Sequence, residues 1–132
     1  MKTVADILRA PEINTLELSF QEKQLLLEGL LGLTSIEILR DPERPLSKED
    51  ISNIYDCFQR LGKGEPIPYI IGYTYFDSLK IEVSPQVLIP RPDSEIIIHT
   101  VLEAVDKSNS SILDLCTGSG AIGLALKYRR PG

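Results

Sequence analysis

The chain has 132 residues, of which 42% are hydrophobic and 25% charged, and its formal net charge is −5. This length allows one domain, or a small domain with part of a second. No apolar run approaches the roughly 20 residues needed to span a bilayer, and the amphipathic start, which carries Asp6, is not typical of a signal peptide. Neither half of the chain is basic, which argues against direct binding of nucleic acid.

The two cysteines, Cys57 and Cys116, and the single histidine, His99, are far apart in the sequence. They form no metal-ligand or redox spacing, so we expect two free thiols, a structural histidine and no metal site. Free thiols are typical of a reducing compartment, and the predicted location is therefore the cytoplasm.

Residues 1–62 have a helical pattern of apolar residues. A short helix is predicted from Val4 to Ala10, stopped by Pro11. Ser19 and Glu22 form a capping box at the start of a second helix, and a third is predicted over Ser35–Leu39. Ser47 with Asp50 opens a fourth helix with one apolar stripe. These four short helices predict a small bundle.

The pattern changes after residue 62. The Gly- and Pro-containing residues 63–70 predict a linker. Apolar residues then alternate on both sides of Asp77-Ser78, which predicts a β-hairpin. Val87–Ile89 predicts another short strand, and a helix is expected from Pro92 to about Val105.

A loop over Lys107–Ser111, a short strand over Ile112–Leu115 and a Gly-rich turn over Cys116–Gly120 are predicted next. The turn opens a helix over Ala121–Tyr128, and Pro131-Gly132 end the sequence. Such a turn presents backbone N–H groups that have no partner inside the helix, and these groups suit a carboxylate or a phosphate.

Two cofactor classes compete for the Gly-rich turn. Residues 118–123 match the G-x-G-x-x-G pattern of dinucleotide sites. Asp114, however, lies at the predicted strand end, four residues before Gly118, where its charge would oppose a pyrophosphate. A carboxylate there suits an ammonium group, or it holds the loop through its amides. S-adenosylmethionine carries an ammonium and no phosphate, so the pattern favours a methyl donor.

The segment Asp114-Leu115-Cys116-Thr117-Gly118-Ser119-Gly120 resembles the first motif of class I methyltransferases, acidic-x-Gly-x-Gly-x-Gly. Cys116 stands where that motif has its first glycine, and a positive φ there would be strained. Two further segments, residues 64–72 and 88–95 with Pro90-Arg91-Pro92-Asp93, are similar to the release-factor glutamine methyltransferases.

The resemblance implies an α+β followed by α/β architecture. Residues 1–62 would form a helical, substrate-docking domain, residues 63–90 a linker with a β-hairpin, and residues 91–132 the beginning of a Rossmann-like methyltransferase domain. It also implies the reaction, which is N5-methylation of the glutamine in the Gly-Gly-Gln motif of peptide chain release factors, with S-adenosylmethionine as the cofactor.

The family's Asn-Pro-Pro-Tyr motif is not found in these residues, and the sequence ends 12 residues after Gly120. The acidic residue that would bind the ribose, expected about 20 residues beyond the Gly-rich loop, is missing as well. We therefore expect a truncated chain that is inactive alone.

The resemblance assigns cofactor binding to Asp114, Cys116, Thr117, Gly118, Ser119 and Gly120. Asp114 is expected either to orient the loop or to contact the methionine ammonium. Cys116 is a loop former and not a nucleophile, because no base accompanies it. Arg91 either contacts cofactor or substrate, or makes a salt bridge. The alternatives for the whole chain are a non-catalytic helical interaction module with a vestigial second half, and a nicotinamide-dependent oxidoreductase.

Overall fold

In the computed structural model of the chain, the described residues are 2–105 and 110–130. They belong to two compact units, Met1–Ile71 and Gly72–Gly132. Part of the predicted loop, Lys107–Asn109, and the predicted chain end, Pro131-Gly132, lie outside the described residues.

The first unit is helical, as predicted. Its described residues form six helices: α1 (Val4–Leu8), α2 (Pro11–Asn14), α3 (Phe20–Leu31), α4 (Ser35–Arg40), α5 (Lys48–Gly62) and α6 (Ile67–Ile71). The four predicted helices correspond to α1, α3, α4 and α5, and they are confirmed.

Each of those four helices begins with a capping box, in which a Ser or Thr and the acidic residue three positions later satisfy each other's backbone N–H groups. The pairs are Thr3 with Asp6, Ser19 with Glu22, Thr34 with Glu37 and Ser47 with Asp50. The hydrogen bonds from the cap residues lower the pKa of all four carboxyl groups. The boxes predicted at Ser19 and Ser47 are confirmed.

Two helices, α2 and α6, were not predicted, and both begin at or next to a proline. Pro11 does follow the first helix, but it also opens α2, in a first-turn position where its missing N–H costs nothing. The linker predicted over residues 63–70 contains the start of α6, in which the Tyr69 N–H donates to the Pro66 carbonyl at 3.0 Å. Pro68 lies in the first turn of α6, where a helix tolerates proline.

The core of the first unit is a single apolar cluster to which all six helices contribute. Its buried members are Val4, Ile7, Ile13, Leu26, Leu27, Ile38, Leu46, Ile54, Cys57, Phe58 and Ile67. Helices α3 and α6 approach closely at Gly29, where a Cβ atom would lie 2.6 Å from the Cβ of Ile71. The small residue at position 29 therefore permits this contact.

The second unit opens with the predicted hairpin. Strands β1 (Tyr73–Phe76) and β2 (Leu79–Glu82) are antiparallel, with Tyr73 opposite Glu82 and Phe76 opposite Leu79. The two turn residues between them, Asp77 and Ser78, have φ of +47° and +66°. Two positive φ values are typical of a type I′ turn, whose twist matches that of the strands.

Two helices complete the described part of the second unit. A 3₁₀ turn over Pro92–Ser94 leads into α7 (Glu95–Ala104), and α8 (Ala121–Arg129) follows the Gly-rich turn. The predicted helices from Pro92 and from Ala121 are thus confirmed. The buried apolar residues of this unit are Phe76, Ile81, Val83, Ile98, Ala121, Ala125 and Leu126.

Two predicted strands were wrong. Neither Val87–Ile89 nor Ile112–Leu115 forms a strand, because a strand needs a neighbour for its backbone hydrogen bonds and the described residues offer none there. The side chain of Leu113 is accordingly 80% exposed. The sheet in the described residues is the two-stranded antiparallel hairpin, and the Rossmann-like sheet is implied by the family alone.

Candidate functional site

The Gly-rich turn leads directly into the first turn of α8. The residue that precedes the helix is Gly120, with φ of +79°, and it has no side chain that could cap the helix. The amides of Ala121 and Ile122 belong to the first helical turn, and such amides have no acceptor inside their own helix. The residue at the cap position of α8 therefore cannot cap the helix itself.

Asp114 supplies the missing cap from six residues upstream. Its Oδ2 atom accepts a hydrogen bond from the Thr117 hydroxyl at 2.8 Å and from the backbone N–H of Gly123 at 3.3 Å. Gly123 is the third residue of α8, the position that a side-chain cap normally reaches. Both bonds end on the same oxygen, which leaves Oδ1 as the atom that could accept from a ligand.

Three residues of the turn have a left-handed backbone. Their φ values are +58° at Cys116, +59° at Gly118 and +79° at Gly120. For a residue with a Cβ this conformation costs roughly 1–2 kcal/mol, so the strain expected at Cys116 is present. The turn is also open, since Cys116, Thr117 and Gly118 are exposed and no atom lies within 4 Å of a Cβ built on Gly118. A ligand could therefore reach the backbone here.

The structure brings Asp114, Thr117 and the start of α8 together, but it shows Arg91 paired elsewhere. The Arg91 Nη2 atom lies 3.4 Å from Asp93 Oδ2, and the Arg91 side chain is 73% exposed. Exposed pairs of this kind contribute little to stability. A role of Arg91 in cofactor or substrate binding stays a prediction.

A cluster that the sequence did not predict joins the hairpin turn to both helices of the second unit. The Asp77 carboxylate accepts two hydrogen bonds from the Arg129 guanidinium, with Nε 2.7 Å from Oδ2 and Nη2 on Oδ1. The Asp77 N–H donates to Glu95 Oε1 at 3.0 Å. The hydrogen bond from Arg129 lowers the pKa of Asp77, and the charge of Arg129 adds to this effect.

The two thiols differ in their surroundings. Cys57 is buried in the first unit, and burial raises the pKa of its thiol to about 11. Cys116 is exposed on the Gly-rich turn. Among residues 2–105 and 110–130, no group of His, Cys, Asp and Glu could hold a metal ion. No helix in the same ranges is long and apolar enough to cross a membrane.

Comparison with known proteins identifies the family. Residues 4–72 match the model of the PrmC N-terminal domain. The chain is 49% identical over 105 residues to the release factor glutamine methyltransferase of Buchnera aphidicola subsp. Schizaphis graminum, covering 80% of this chain and 38% of that protein. The enzyme of the same name from Burkholderia pseudomallei is 33% identical over 130 residues, which cover 98% of this chain and 44% of that protein. The chain therefore belongs to the release factor glutamine methyltransferase family.

The matched relatives are much longer than this chain. For the relatives from Buchnera aphidicola and from Aliivibrio fischeri, which is 45% identical, the chain spans 38% and 33% of their length. The family model lies almost wholly on the first unit, and the match to the Burkholderia pseudomallei relative, which covers 98% of this chain, includes the Gly-rich turn.

Proposed function

We propose that the complete protein transfers a methyl group from S-adenosylmethionine to the side-chain amide nitrogen of the glutamine in the Gly-Gly-Gln motif of peptide chain release factors. Family membership supports the reaction class. The observation within the chain that supports the proposal most is the bond from the Gly123 amide to Asp114, because it places a carboxylate at the helix end that the cofactor would approach.

The position of Asp114 argues against a dinucleotide. A pyrophosphate at a helix N-terminus would use the first-turn amides and the positive end of the helix dipole. Here the Asp114 carboxylate already accepts from the Gly123 N–H. A phosphate at the same helix end would therefore meet the like charge of Asp114 with no neighbouring cationic group of its own to offset it, which disfavours the oxidoreductase alternative.

The same groups fit the methionine part of S-adenosylmethionine. The second oxygen of Asp114 is a suitable acceptor for the α-ammonium group, and the amides of Ala121 and Ile122 are suitable donors for the α-carboxylate. The exposed backbone around Gly118 leaves room for close approach of the ligand. When bound, S-adenosylmethionine supplies an electrophilic methyl group on a cationic sulfonium.

The amide nitrogen of glutamine is a weak nucleophile because its lone pair is delocalised. Catalysis must therefore come mainly from alignment of the amide with the methyl group and from hydrogen bonds to the planar amide. We expect the family's Asn-Pro-Pro-Tyr motif to do this in the complete protein, outside these 132 residues, so that this chain alone does not turn over. Residues 91–132 then form the beginning of the cofactor-binding domain.

We assign docking of the release factor to residues 1–62 together with α6, which packs into the same core, and the remainder of the predicted linker, residues 63–90, connects them to the catalytic part. Support for a separate role comes from the first unit, which has an apolar core of its own. That core also favours the second candidate function, a helical module that binds a protein partner without catalysis. Because the substrate is a translation factor and the chain has a pI near 4.9, we expect a cytoplasmic protein that does not bind nucleic acid directly.

The test is methyl transfer by the complete protein. Purified release factor would be incubated with the protein and S-adenosylmethionine carrying a labelled methyl group, and the Gly-Gly-Gln peptide would be analysed by mass spectrometry. The proposal predicts one labelled methyl on the glutamine side chain, and loss of labelling with Asp114→Ala. An unmodified peptide, in an assay where the release factor is still retained by residues of the first unit, would instead favour the interaction module.

A further inference from the structure

The ion pair between Asp77 and Arg129 is the most enclosed charged contact of the second unit's described residues. The side chain of Asp77 is only 5% exposed, whereas that of Arg129 is 38% exposed. Two parallel N–H···O bonds join the two groups, a geometry that restricts both distance and orientation. Arg129 is the last residue of α8, so the pair fixes the C-terminal end of that helix to the hairpin turn.

The neighbouring arginine fixes the same helix end to α7. Arg130 Nη1 donates to the carbonyl oxygen of Val105 at 2.9 Å, and its Nη2 donates to that of Leu102. These carbonyls belong to the C-terminal end of α7, which attracts cations. Two consecutive arginines therefore hold the C-terminal end of α8, Arg129 through the hairpin turn and Arg130 through the end of α7.

The other end of α8 is the Gly-rich turn. Helix α8 has nine residues and is therefore about 13 Å long. At its start the Gly123 N–H is held by Asp114 at 3.3 Å, a distance just beyond the usual range of 2.7–3.2 Å for such bonds. A shift of the helix by a few tenths of an ångström away from Asp114 would break this bond. A helix transmits an axial shift from one end to the other, so the contact at Arg129 bears on the geometry of the turn.

We infer that Asp77 and Arg129 are positioning residues for the Gly-rich turn: they set the axial position of α8 and thereby hold the Gly123 amide within reach of Asp114. The consequence for the methyl donor rests on the proposed function, because it assumes that the turn binds S-adenosylmethionine. The coupling along α8 does not depend on that assumption.

The coupling is tested by amide hydrogen exchange of the 132-residue chain without ligand, read at Gly123. Arg129→Leu removes the pair while keeping an aliphatic stem, and Arg129→Lys keeps the charge but not the paired bonds. The control is Arg40→Leu, which removes an exposed arginine from the last turn of α4. The amide of Ile98, a buried residue of α7, reports global opening of the unit.

We expect exchange at Gly123 to rise roughly fivefold in Arg129→Leu, the equivalent of one lost hydrogen bond, and less in Arg129→Lys. The rise at Gly123 should exceed any rise at Ile98, which reports the loss of overall stability, and the Arg40→Leu protein should stay unchanged. Faster exchange confined to the hairpin turn and to the last turn of α8, with Gly123 unchanged, would overturn the inference and leave the pair with a local role. If Arg129→Leu fails to fold, Asp77→Asn decides in the same way, since asparagine tolerates the positive φ of the turn.

Titration of the complete protein with S-adenosylmethionine separates this inference from the proposed function. Arg129→Leu should weaken binding, and Arg129→Lys should restore part of it. Absence of binding in the unsubstituted protein would refute the proposed function, while the exchange result at Gly123 would still decide the coupling.

Discussion

Substitution of Gly29 by alanine tests the close packing of α3 against α6. A Cβ at this position would lie 2.6 Å from both the Cβ and the Cγ2 of Ile71, and 3.3 Å from its Cδ1. Carbon atoms in contact prefer about 3.5–4.0 Å. The Cβ of Ile71 is bonded to the main chain, so a change of rotamer cannot move it away, and relief requires a shift of α6 itself.

The expected net effect is a loss of stability. Overpacking of a core costs typically about 1–3 kcal/mol. Alanine gains about 0.5–1 kcal/mol over glycine inside a helix. We therefore expect Gly29→Ala to lower the free energy of unfolding by up to about 2.5 kcal/mol, which for a unit of this size is a fall in Tm of as much as several degrees.

The assay is urea unfolding of the whole chain followed by the helical circular dichroism signal. Gly62→Ala is the matched control, because Gly62 is also helical but no atom lies within 4 Å of its Cβ position. The control should be neutral or slightly stabilising. If Gly29→Ala is as stable as Gly62→Ala, the close approach of α3 and α6 is not a feature of the protein in solution.

Three further predictions use caps, charge and thiols. Ser47→Ala should destabilise the first unit by about 0.5–2 kcal/mol in the same urea assay; no loss would mean that the box with Asp50 does not stabilise α5. The pKa of Asp77 is lower in the folded chain than its ordinary 3.8, so its stabilising contribution is full above that value and is lost as the pH falls through the folded pKa. Asp77→Asn should therefore flatten the acid limb of a plot of stability against pH, and an unchanged limb would contradict this. At about pH 8 a thiol reagent should modify Cys116 quickly and Cys57 only on unfolding, and two fast thiols by mass spectrometry would refute the buried position of Cys57.

Local signals predicted the elements that depend on neighbours in sequence. Alternating apolar residues and a two-residue turn at Asp77-Ser78 were enough for the hairpin, and short-range capping pairs were enough for the start of α5 at Ser47. The boxes at Thr3 and Thr34 have the same spacing and could have been recognised in the same way. The pattern of Pro66 and Pro68 concealed α6, because both prolines fall at a helix start, where they are tolerated.

Features that depend on distant residues could not be predicted. Asp77 and Arg129 are 52 positions apart, and nothing in either local sequence indicates the pairing. The strand expected at Ile112–Leu115 depends on neighbouring strands that the described residues do not contain. At the site, the composition of the turn was predictable, but the capping of α8 by Asp114 through Gly123 depends on how the turn folds back over the helix start, which the local sequence does not indicate.

The most direct test of the central claim, that the Gly-rich turn binds a methyl donor through Asp114, is calorimetric titration of the complete protein. S-adenosylmethionine and NADH would each be titrated into the unsubstituted protein and into Asp114→Asn. The asparagine keeps an oxygen that can accept from Thr117 and Gly123, but it lacks the negative charge. We predict that S-adenosylmethionine binds and NADH does not, and that the substitution weakens binding by roughly tenfold or more. Binding of NADH, or equal affinity for S-adenosylmethionine in both proteins, would contradict the claim.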